Sequence, residues 1–460
     1  MKKNLLFVIT FLAVVFVLSS VSNVQAATMP TNTELMDQIQ ELREMVMSQN
    51  ARIAELEKQI ISHSSKVASY CGKVDEHAQL IDKEGLRDIS ADMRRRLEGL
   101  EEMGPIEIGA SATFVVQGTP NANGASGDKE DDRTDASWTS EIELAKAFGD
   151  RGFAYILMEP GQGAGLDEDL SLFSPVNFDA SDTGASPDIT EVWYEHYLFD
   201  GQLAVTFGKL YFPNYLDTNE YANDENTQFL SQIFRNAPTI DYPSSDWCIG
   251  VRGSYSPAFA DFVSFEGMVG EADGDYEQIF DRPFVAAQVN LRPDKLFNYD
   301  GEKWGGNYRV YFAYNGDDHT EFDDPEMTKE PNYSMGVSCD QKLTEIFGVF
   351  GRFGWQYPAV SDIEFSWSMG GQMTGEYWKR ENDVFGIAIG QLLPGKPYGD
   401  NGNPNNTETH LEAYYSIQVN DHIAISPDMQ FIWGPNGVAN EEQGKEGPIF
   451  VYGLRTFIDF

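Results

Sequence analysis

The chain ends with Phe450-Val-Tyr-Gly-Leu-Arg-Thr-Phe-Ile-Asp-Phe460, in which apolar and polar side chains alternate up to an aromatic carboxy-terminus. One row is apolar except at Thr456 and consists of Phe450, Tyr452, Leu454, Ile458 and Phe460. Because successive side chains of a strand point to opposite faces, this row suits lipid and the other row tolerates water. The pattern fits the last strand of a transmembrane β-barrel. Taken alone, it fits an amphipathic strand of a soluble sheet equally well.

The first 26 residues have the features of a secretory signal peptide. Lys2 and Lys3 form a charged start, an apolar run extends from Leu5 to Leu18, and Val24-Gln-Ala26 provides a small-residue cleavage site. We therefore expect export, with Ala27 as the first mature residue. Beyond this segment no stretch approaches the ~18 to 20 consecutive apolar residues of a spanning helix, so membrane residence requires a closed barrel.

The composition is strongly acidic. The 460 residues include 73 Asp and Glu against 32 Lys and Arg, a formal charge of −41. Removal of the two signal-peptide lysines leaves 30 basic residues and a charge of −43. Such a surface repels nucleic acid and anionic solutes, attracts cations and tolerates neutral, hydroxyl-rich solutes. Nucleic acid is excluded as a partner.

No residue pattern indicates a cofactor, a metal centre or a catalytic site. Cys71, Cys248 and Cys339 lack the spacing of a zinc or haem site, and we interpret them as packing residues. The acidic runs in the long loops do not match a calcium-binding loop. The six histidines form no catalytic motif, and Gly-x-Ser-x-Gly, Walker and His-Glu-x-x-His motifs are missing from the sequence. We expect no enzymatic activity.

The segment after the signal peptide is predicted to be helical. From Leu35 to Ile60 the apolar positions step by four and three, which predicts a coiled-coil oligomerisation segment over residues 27–61. We expect a homo-oligomer, with a trimer as its form. The alternative is a helix that folds back on its own chain. Residues 62–104 are predicted to form a helical periplasmic linker that contacts the cell wall, and it ends at Gly104-Pro105.

From Ile106 the rhythm changes to period two, as in Tyr308 to Asn315, and roughly sixteen such segments reach the carboxy-terminus. Short connectors such as Asp200-Gly201 alternate with long ones such as Gly161 to Asp188. An even strand number and this loop asymmetry are typical of outer-membrane barrels. We predict an all-β transmembrane barrel of roughly sixteen antiparallel strands over residues 105–460, preceded by the α-helical coiled coil.

The segment from Tyr211 to Ser245 lacks clean alternation and concentrates carboxylates, amides and aromatic rings. Carboxylates and amides bind hydroxyl groups, and flat rings pack on the apolar face of a sugar. The sequence therefore predicts an inward constriction loop around residues 211–245 that contacts carbohydrate.

Several short motifs in and around this loop resemble the core signature of the carbohydrate-selective porin family OprB. They are Gly208-Lys209, Asn214-Tyr215-x-Asp217-x-Asn219, Ala222-Asn223-Asp224-Glu225, Gln228-Phe229-Leu230 and Asn236-x-Pro238-Thr239-Ile240. Pro427 to Ile432, followed by Gly434-Pro435, is similar to that family's motif near the carboxy-terminus.

The resemblance covers about residues 106–460 and implies an outer-membrane barrel that passes sugars without chemistry or energy input. The channel-lining positions that it implies, with the loop aromatic Phe229, are Lys209, Asp217, Asn219, Asn223, Asp224, Glu225, Gln228, Phe229 and Arg235. The alternative for the charged members is that they only hold a folded loop on the barrel wall.

Three arginines fall on predicted water-facing rows: Arg252, Arg309 and Arg352. They would line the channel and donate to sugar hydroxyls, or equally stabilise the wall by pairing with carboxylates.

The leading hypothesis is a carbohydrate-preferring outer-membrane porin of a Gram-negative bacterium, with lipids of that membrane and small sugars as its partners. One alternative is a general or cation-preferring porin, which the charge favours. The other is an envelope-tethering or adhesive barrel protein.

Overall fold

The computed structural model describes residues 106–120, 122, 132–180, 188–243, 247–274, 278, 280–298, 300–438 and 448–460. The predicted signal peptide, coiled coil and helical linker all lie outside these residues. Those three assignments stay predictions.

Seventeen paired segments form one sheet in the described residues, of which sixteen are barrel strands and one, Gly161–Gln162, is a two-residue bridge to the second strand. The strands are β1 (Glu107–Thr119), β2 (Arg133–Ala147), β3 (Gly152–Met158), β4 (Ile189–Leu198), β5 (Leu203–Tyr211), β6 (Trp247–Tyr255), β7 (Val263–Glu271), β8 (Pro283–Leu291), β9 (Gly306–His319), β10 (Glu330–Lys342), β11 (Phe347–Gln356), β12 (Ile363–Gly375), β13 (Arg380–Pro394), β14 (Glu408–Asn420), β15 (Ile423–Trp433) and β16 (Ile449–Asp459).

The sheet is closed. Each strand pairs antiparallel with its neighbours in sequence, and β16 returns to β1, where Phe457 lies opposite Thr113. Closure satisfies the backbone hydrogen-bonding groups of every strand and leaves no free edge. The prediction of an antiparallel barrel of about sixteen strands is confirmed.

The helices are short. They are α1 (Gln232–Arg235), α2 (Pro293–Phe297), α3 (Gly301–Trp304) and α4 (Lys396–Asp400), with 3-10 turns at Gly165–Glu168, Phe212–Asn214, Glu376–Trp378 and Pro435–Gly437. In the part of the chain that the structure describes, none of the helices has the length and apolar character needed to cross a membrane.

Each strand presents an outer and an inner row. In β9, Val310 is 59% exposed, and Tyr308 and Phe312 on the same row are also exposed. The alternate residues Arg309 and Tyr311 are buried inside the barrel. The outer row is therefore apolar and open, whereas the inner row is packed, as the alternating sequence predicts.

The two edges of the barrel differ in their connections. On one edge short turns join most of the strands, such as residues 199–202, where Asp200 and Gly201 both have positive φ; the connection between β8 and β9 on this edge is longer and carries α2 and α3. On the other edge the connections after β3 and β5 are long and turn into the barrel. We call residues 159–180 the first inward segment and residues 211–243 the second inward segment.

The hydrophobic core lies inside the barrel, between the inner wall and these two segments. In the second inward segment, Phe212 and Leu216 pack on β7, β8 and β9, while Phe229 and Phe234 pack on β11 to β14. In the first inward segment, apolar side chains including Val176 pack on β15 and β16. The segments therefore fill the side of the bore beside β7 to β16 and leave space beside β2 to β4.

A charge in the outer row should destabilise the barrel in lipid. We expect Val310→Arg to lower the free energy of unfolding by about 2 kcal/mol or more if the residue lies near the bilayer midplane, because the guanidinium would have to leave water. Urea unfolding in lipid vesicles measures the change. The matched control Val310→Leu should alter stability by less than about 1 kcal/mol. Equal losses in both variants would contradict a lipid-facing outer row.

Candidate functional site: an acidic cavity inside the barrel

A cavity of about 760 Å³ lies between the barrel wall, mainly β2, β3 and β4, and the two inward segments. Its volume is in the range of small-molecule sites. The wall contributes Thr139, Glu141 and Glu143 of β2, Tyr155 and Leu157 of β3, Thr190 and Glu191 of β4, and Phe457 of β16. The residues of β2 are two apart in sequence, so the pleat of the strand places all three on its inner face.

The first inward segment is folded into a hook. Asp167 accepts hydrogen bonds from the backbone N–H groups of Val176 (2.8 Å) and Asn177 (3.3 Å). The hook returns Asn177 and Asp179 to the cavity. The hydroxyl of Thr139 then donates to Oδ1 of Asp179 at 2.7 Å, which ties the segment to β2.

The second inward segment reaches the same wall from the other side. Asn226 donates from Nδ2 to Oε1 of Glu141 at 2.8 Å and accepts at Oδ1 from the hydroxyl of Thr113 at 2.6 Å. Residues 223–226 therefore bridge to β1 and β2 and form one boundary of the cavity.

Carboxyl groups dominate the cavity lining. Eight of them face one guanidinium group, an excess of seven; the acidic residues are Glu141, Glu143, Glu159, Asp167, Asp179, Glu191, Asp224 and Glu225. The amides of Asn177, Asn214, Asn223 and Asn226 and the rings of Tyr155, Phe178 and Tyr211 complete the polar and aromatic surface. This arrangement offers hydrogen-bond acceptors, amide donors and flat rings to a solute.

The single guanidinium, that of Arg235 in α1, is already engaged. Its Nε lies 2.8 Å from Oε2 of Glu225, and Nη2 donates to Oδ1 of Asn214 at 2.8 Å. The group also lies over the rings of Phe178 and Tyr211, 6.0 and 5.6 Å from their centroids. Among the ion pairs of the described residues, Glu225 is the only one of the eight carboxyl groups that has a partner.

Burial in this acidic surrounding shifts the titration of the loop carboxyls. Desolvation, together with the negative charges of Glu225 and Glu159, raises the pKa of Asp179 to about 7. The hydrogen bond from Thr139 acts in the opposite direction. Desolvation also raises the pKa of Glu159, with a further contribution from Glu225. Desolvation raises the pKa of Asp167 to about 6, opposed by its two backbone N–H donors. The cavity therefore favours uptake of protons or other cations.

The second inward segment is fixed to the opposite wall by a buried arginine. Arg352 of β11 donates to the carbonyl oxygens of Phe234 (2.7 Å), Ala222 (2.6 Å) and Asp217 (3.0 Å). Its Nε lies 3.0 Å from Oδ2 of Asp217, which is fully buried. Asp217 has a left-handed backbone (φ 60°), which an aspartate tolerates and which its own Oδ2, accepting from the N–H of Ala237 at 2.7 Å, helps to hold.

Wall carboxylates hold backbone N–H groups of both inward segments. Glu412 accepts from Leu230 (2.7 Å) and Ser231 (3.0 Å), and Glu408 accepts from Phe173 and Ser174. Arg455 of β16 donates to the carbonyl oxygen of Glu225 at 2.7 Å. A buried backbone group without such a partner would be costly, so these inner-row charges specify the path of the segments.

Ser231, His410 and Glu408 lie in a row of hydrogen-bonding contacts that resembles a hydrolytic triad. Nδ1 of His410 lies 3.3 Å from the hydroxyl of Ser231, and its Nε2 lies 2.8 Å from Glu408. All three residues are 1% exposed or less, and the serine hydroxyl also donates to the carbonyl oxygen of Pro175. The arrangement joins the two inward segments to β14, and a solute has no access to it in this structure.

The structure brings four of the twelve predicted site residues to the cavity: Asn223, Asp224, Glu225 and Arg235. Five others are buried elsewhere, because they pack or pair between the second inward segment and the wall or within the wall itself: Asp217, Asn219, Phe229, Arg309 and Arg352. Gln228 bonds within its own segment, accepting from the backbone N–H groups of Asn223 and Asp224.

The remaining two predicted residues lie on the strands. Lys209 shares the outer row of β5 with the exposed Phe207, and its Nζ donates to the carbonyl oxygen of Ile189. Arg252 lies on an inner row, where it pairs with Glu266 at 2.8 Å and covers the ring of Tyr215 at 4.4 Å. Neither side chain lines the cavity. The position of Arg252 corresponds to the alternative in which the arginine stabilises the wall by pairing with a carboxylate.

The prediction missed the wall carboxyls and those of the first inward segment. The sequence did indicate the wall carboxyls, because Thr139, Glu141 and Glu143 alternate with Ile142 and Leu144, which places the acids on the inner face of a strand. For Asp167 and Asp179 no local sequence signal shows that their connection turns into the barrel.

The description "Carbohydrate-selective porin, OprB family" belongs to a family model that matches residues 129–460, which is most of the chain. The chain belongs to this family. Porin B of Pseudomonas aeruginosa is 24% identical over 298 residues, covering 54% of this chain and 64% of that protein. An uncharacterized protein of Aquifex aeolicus is 26% identical over 219 residues, covering 48% of this chain and 56% of that protein.

This OprB-family chain therefore spans less than two thirds of the length of either curated relative. A solved structure of Pseudomonas putida OprB at high pH superimposes with a TM-score of 0.62 and 16% identity, covering 80% of this chain and 96% of that one. At this identity the superposition shows a shared fold.

Removing the Arg352 side-chain charge should release the second inward segment. We expect Arg352→Met to lower the free energy of unfolding by about 3 to 5 kcal/mol, because Asp217 would be left buried without its partner. Urea unfolding measures this change. As a control, Lys396→Met removes an exposed pair with Asp400 (3.7 Å) and should cost less than about 1 kcal/mol. Similar losses in both variants would contradict the anchoring role.

Cation preference should depend on pH. Since the pKa of Asp179 is raised to about 7, its carboxylate is charged above that pH and is neutralised as the pH falls through it. Glu159, Glu225, Arg455 and the Thr139 hydroxyl act on this group. Reversal potentials in a KCl gradient should show preference for K⁺ over Cl⁻ at about pH 8 and a weaker preference at about pH 5. Asp179→Asn should flatten this profile, while the exposed-loop control Asp323→Asn should leave it unchanged.

Proposed function

We propose that this protein is an outer-membrane porin through which small, hydroxyl-rich solutes, carbohydrates above all, diffuse passively. The observation that carries the proposal is a closed barrel whose bore retains a cavity lined by carboxylates, amides and aromatic rings. Family membership supports it independently.

Passage requires no chemistry. Carboxylates such as Glu143 and Glu191 accept hydrogen bonds from sugar hydroxyls, and the amides of Asn177 and Asn223 donate to or accept from them. Exposed faces of rings such as Tyr155 pack on the apolar face of the sugar. Each contact contributes little net energy in a wet bore, so a solute is held briefly and released, as diffusion through a pore demands.

The second inward segment serves as the constriction in this proposal. It fills the bore beside β7 to β14 and presents Asn223, Asp224 and Glu225 to the remaining opening. A solute would then pass between these groups and the inner faces of β2 to β4.

The location and assembly are part of the proposal. The protein would reside in the outer membrane of a Gram-negative bacterium after signal-directed export, with its apolar outer rows in lipid. The coiled coil of residues 27–61 would form a homo-oligomer, taken as a trimer, and the helical linker would contact the cell wall.

A cation-preferring pore is the second candidate function. It is favoured by the excess of seven carboxyl groups over guanidinium groups in the cavity lining. A narrow passage with one sign of charge concentrates counter-ions and excludes ions of the same sign. Neutral sugars and cations can share such a passage, so the two functions differ in the relative rates of their solutes.

Liposome swelling with the purified full-length protein tests the sugar preference. Monosaccharides should enter faster than amino acids of similar size. Equal rates for both would remove the preference and leave a general pore, while no entry of either would overturn the porin assignment.

A substitution inside the cavity tests its role as the passage. Ala164 lines the cavity, whereas Ala258 is exposed in a short turn at the edge of the barrel. We expect Ala164→Trp to slow sugar entry severalfold, because the ring would occupy the cavity, and the matched Ala258→Trp to leave the rate unchanged. Unaltered swelling by a folded Ala164→Trp barrel would place the passage elsewhere.

A further inference from the structure

The cavity lining combines groups that bind hydroxyls with eight carboxyl groups against one guanidinium group. Seven of its eight carboxyl groups form no ion pair in the described part of the chain, although the charge of Arg455 acts on Asp179; Glu143, for example, accepts from the hydroxyl of Tyr155 at 2.9 Å. A neutral sugar can bond to these groups but brings no positive charge to those that are ionised.

Two buried polar groups at the cavity each have one oxygen atom without a hydrogen-bond donor. Asp179 is 7% exposed, and its Oδ2 accepts no hydrogen bond, although Oδ1 is bonded to Thr139. Asn177 is 2% exposed, and its Oδ1 is also without a partner. Buried acceptors of this kind are normally satisfied in native structures, so they point to a donor that the cavity receives.

The spacing of the acceptors in the cavity does not suit a bare metal ion. Among the described residues, the only acidic group whose oxygens converge closely enough for metal ligation is Glu271, Asp273 and Asp281, outside the cavity. The carboxylates of the cavity are instead distributed over wall strands and two inward segments. Distributed acceptors suit a cation of several atoms, with its charge at one end and hydrogen-bonding groups elsewhere.

The protein itself already places one organic cation at this site. The guanidinium of Arg235 lies beside Glu225 and over the rings of Phe178 and Tyr211. The cavity surface therefore accommodates a nitrogen cation between a carboxylate and aromatic faces, and Asp179 offers a second carboxylate with one oxygen that accepts no hydrogen bond.

We propose that the cavity is selective for small polyhydroxylated solutes that carry one protonated amine, the chemical class of the aminosugars. The ammonium group has three donors and belongs beside Asp179, where Glu159 and Glu225 add negative charge. The ring hydroxyls of the same solute bond to the amides and the remaining carboxylates. This inference rests on the proposed porin function and narrows its substrate class.

Tracer uptake into liposomes that contain the full-length protein tests the inference. Isotope-labelled D-glucose, D-glucosamine and N-acetyl-D-glucosamine are supplied separately at equal concentration in one buffer near neutral pH. Glucosamine should enter about tenfold faster or more than either neutral sugar, because tenfold is the lower end of what one hydrogen bond to a charged group contributes. N-acetyl-D-glucosamine controls for the nitrogen substituent, because it lacks the charge.

Variants locate the effect. Asp179→Asn should reduce the ratio of glucosamine entry to glucose entry several-fold, and Glu141→Gln on the neighbouring wall should reduce the same ratio. Asp323→Asn, which removes an exposed loop carboxylate outside the cavity, should change neither rate. The wild-type comparison of the three sugars decides the inference even where a variant does not fold.

The outcomes separate the two proposals. Equal entry of glucose and glucosamine through the wild-type protein would overturn the aminosugar inference and leave the porin function intact. A glucosamine advantage that survives both cavity variants would also overturn it, since the selectivity would then arise elsewhere. Entry of none of the three sugars would refute the inference together with the porin function.

Discussion

Peptide groups that enter the bore of a barrel must find hydrogen-bond partners there, because a strand wall has already used its own backbone groups in pairing. The inner rows provide these partners as charged side chains. Arg352 and Arg455 donate to carbonyl oxygens of the second inward segment, while Glu408 and Glu412 accept its N–H groups and those of the first. The shape of the cavity follows from where these side chains stand on the wall.

The sequence was most informative where a single physical rule dominates. Strict alternation, as in Phe450 to Phe460, predicts strands and their two faces, and Leu454 is exposed while Arg455 is buried, as expected for opposite rows. The rule also placed Arg252, Arg309 and Arg352 on the inside. It left open whether each arginine would line the channel or pair with a carboxylate, because the partners lie on other strands or on the second inward segment.

The site was less predictable than the fold for the same reason. The motif around Asp217 and Asn219 lies in the second inward segment, yet these two residues are buried against the wall, since Asp217 pairs with Arg352 and Asn219 bonds to Ser338. The lining comes largely from acids such as Asp179, whose position depends on a hook closed by Asp167. Fixing a side chain within such a hook requires long-range contacts that alternation and motif spacing do not encode.

The inward segments pack to one side of the bore, so the opening is eccentric, with strand on one flank and loop on the other. The two flanks are under different constraints. Residues on β2 to β4 must also maintain backbone pairing around the ring, whereas residues 223–226 need only keep their anchors. Substitutions in residues 223–226 can therefore alter the lining of the opening without disturbing strand pairing, whereas substitutions on β2 to β4 must preserve it.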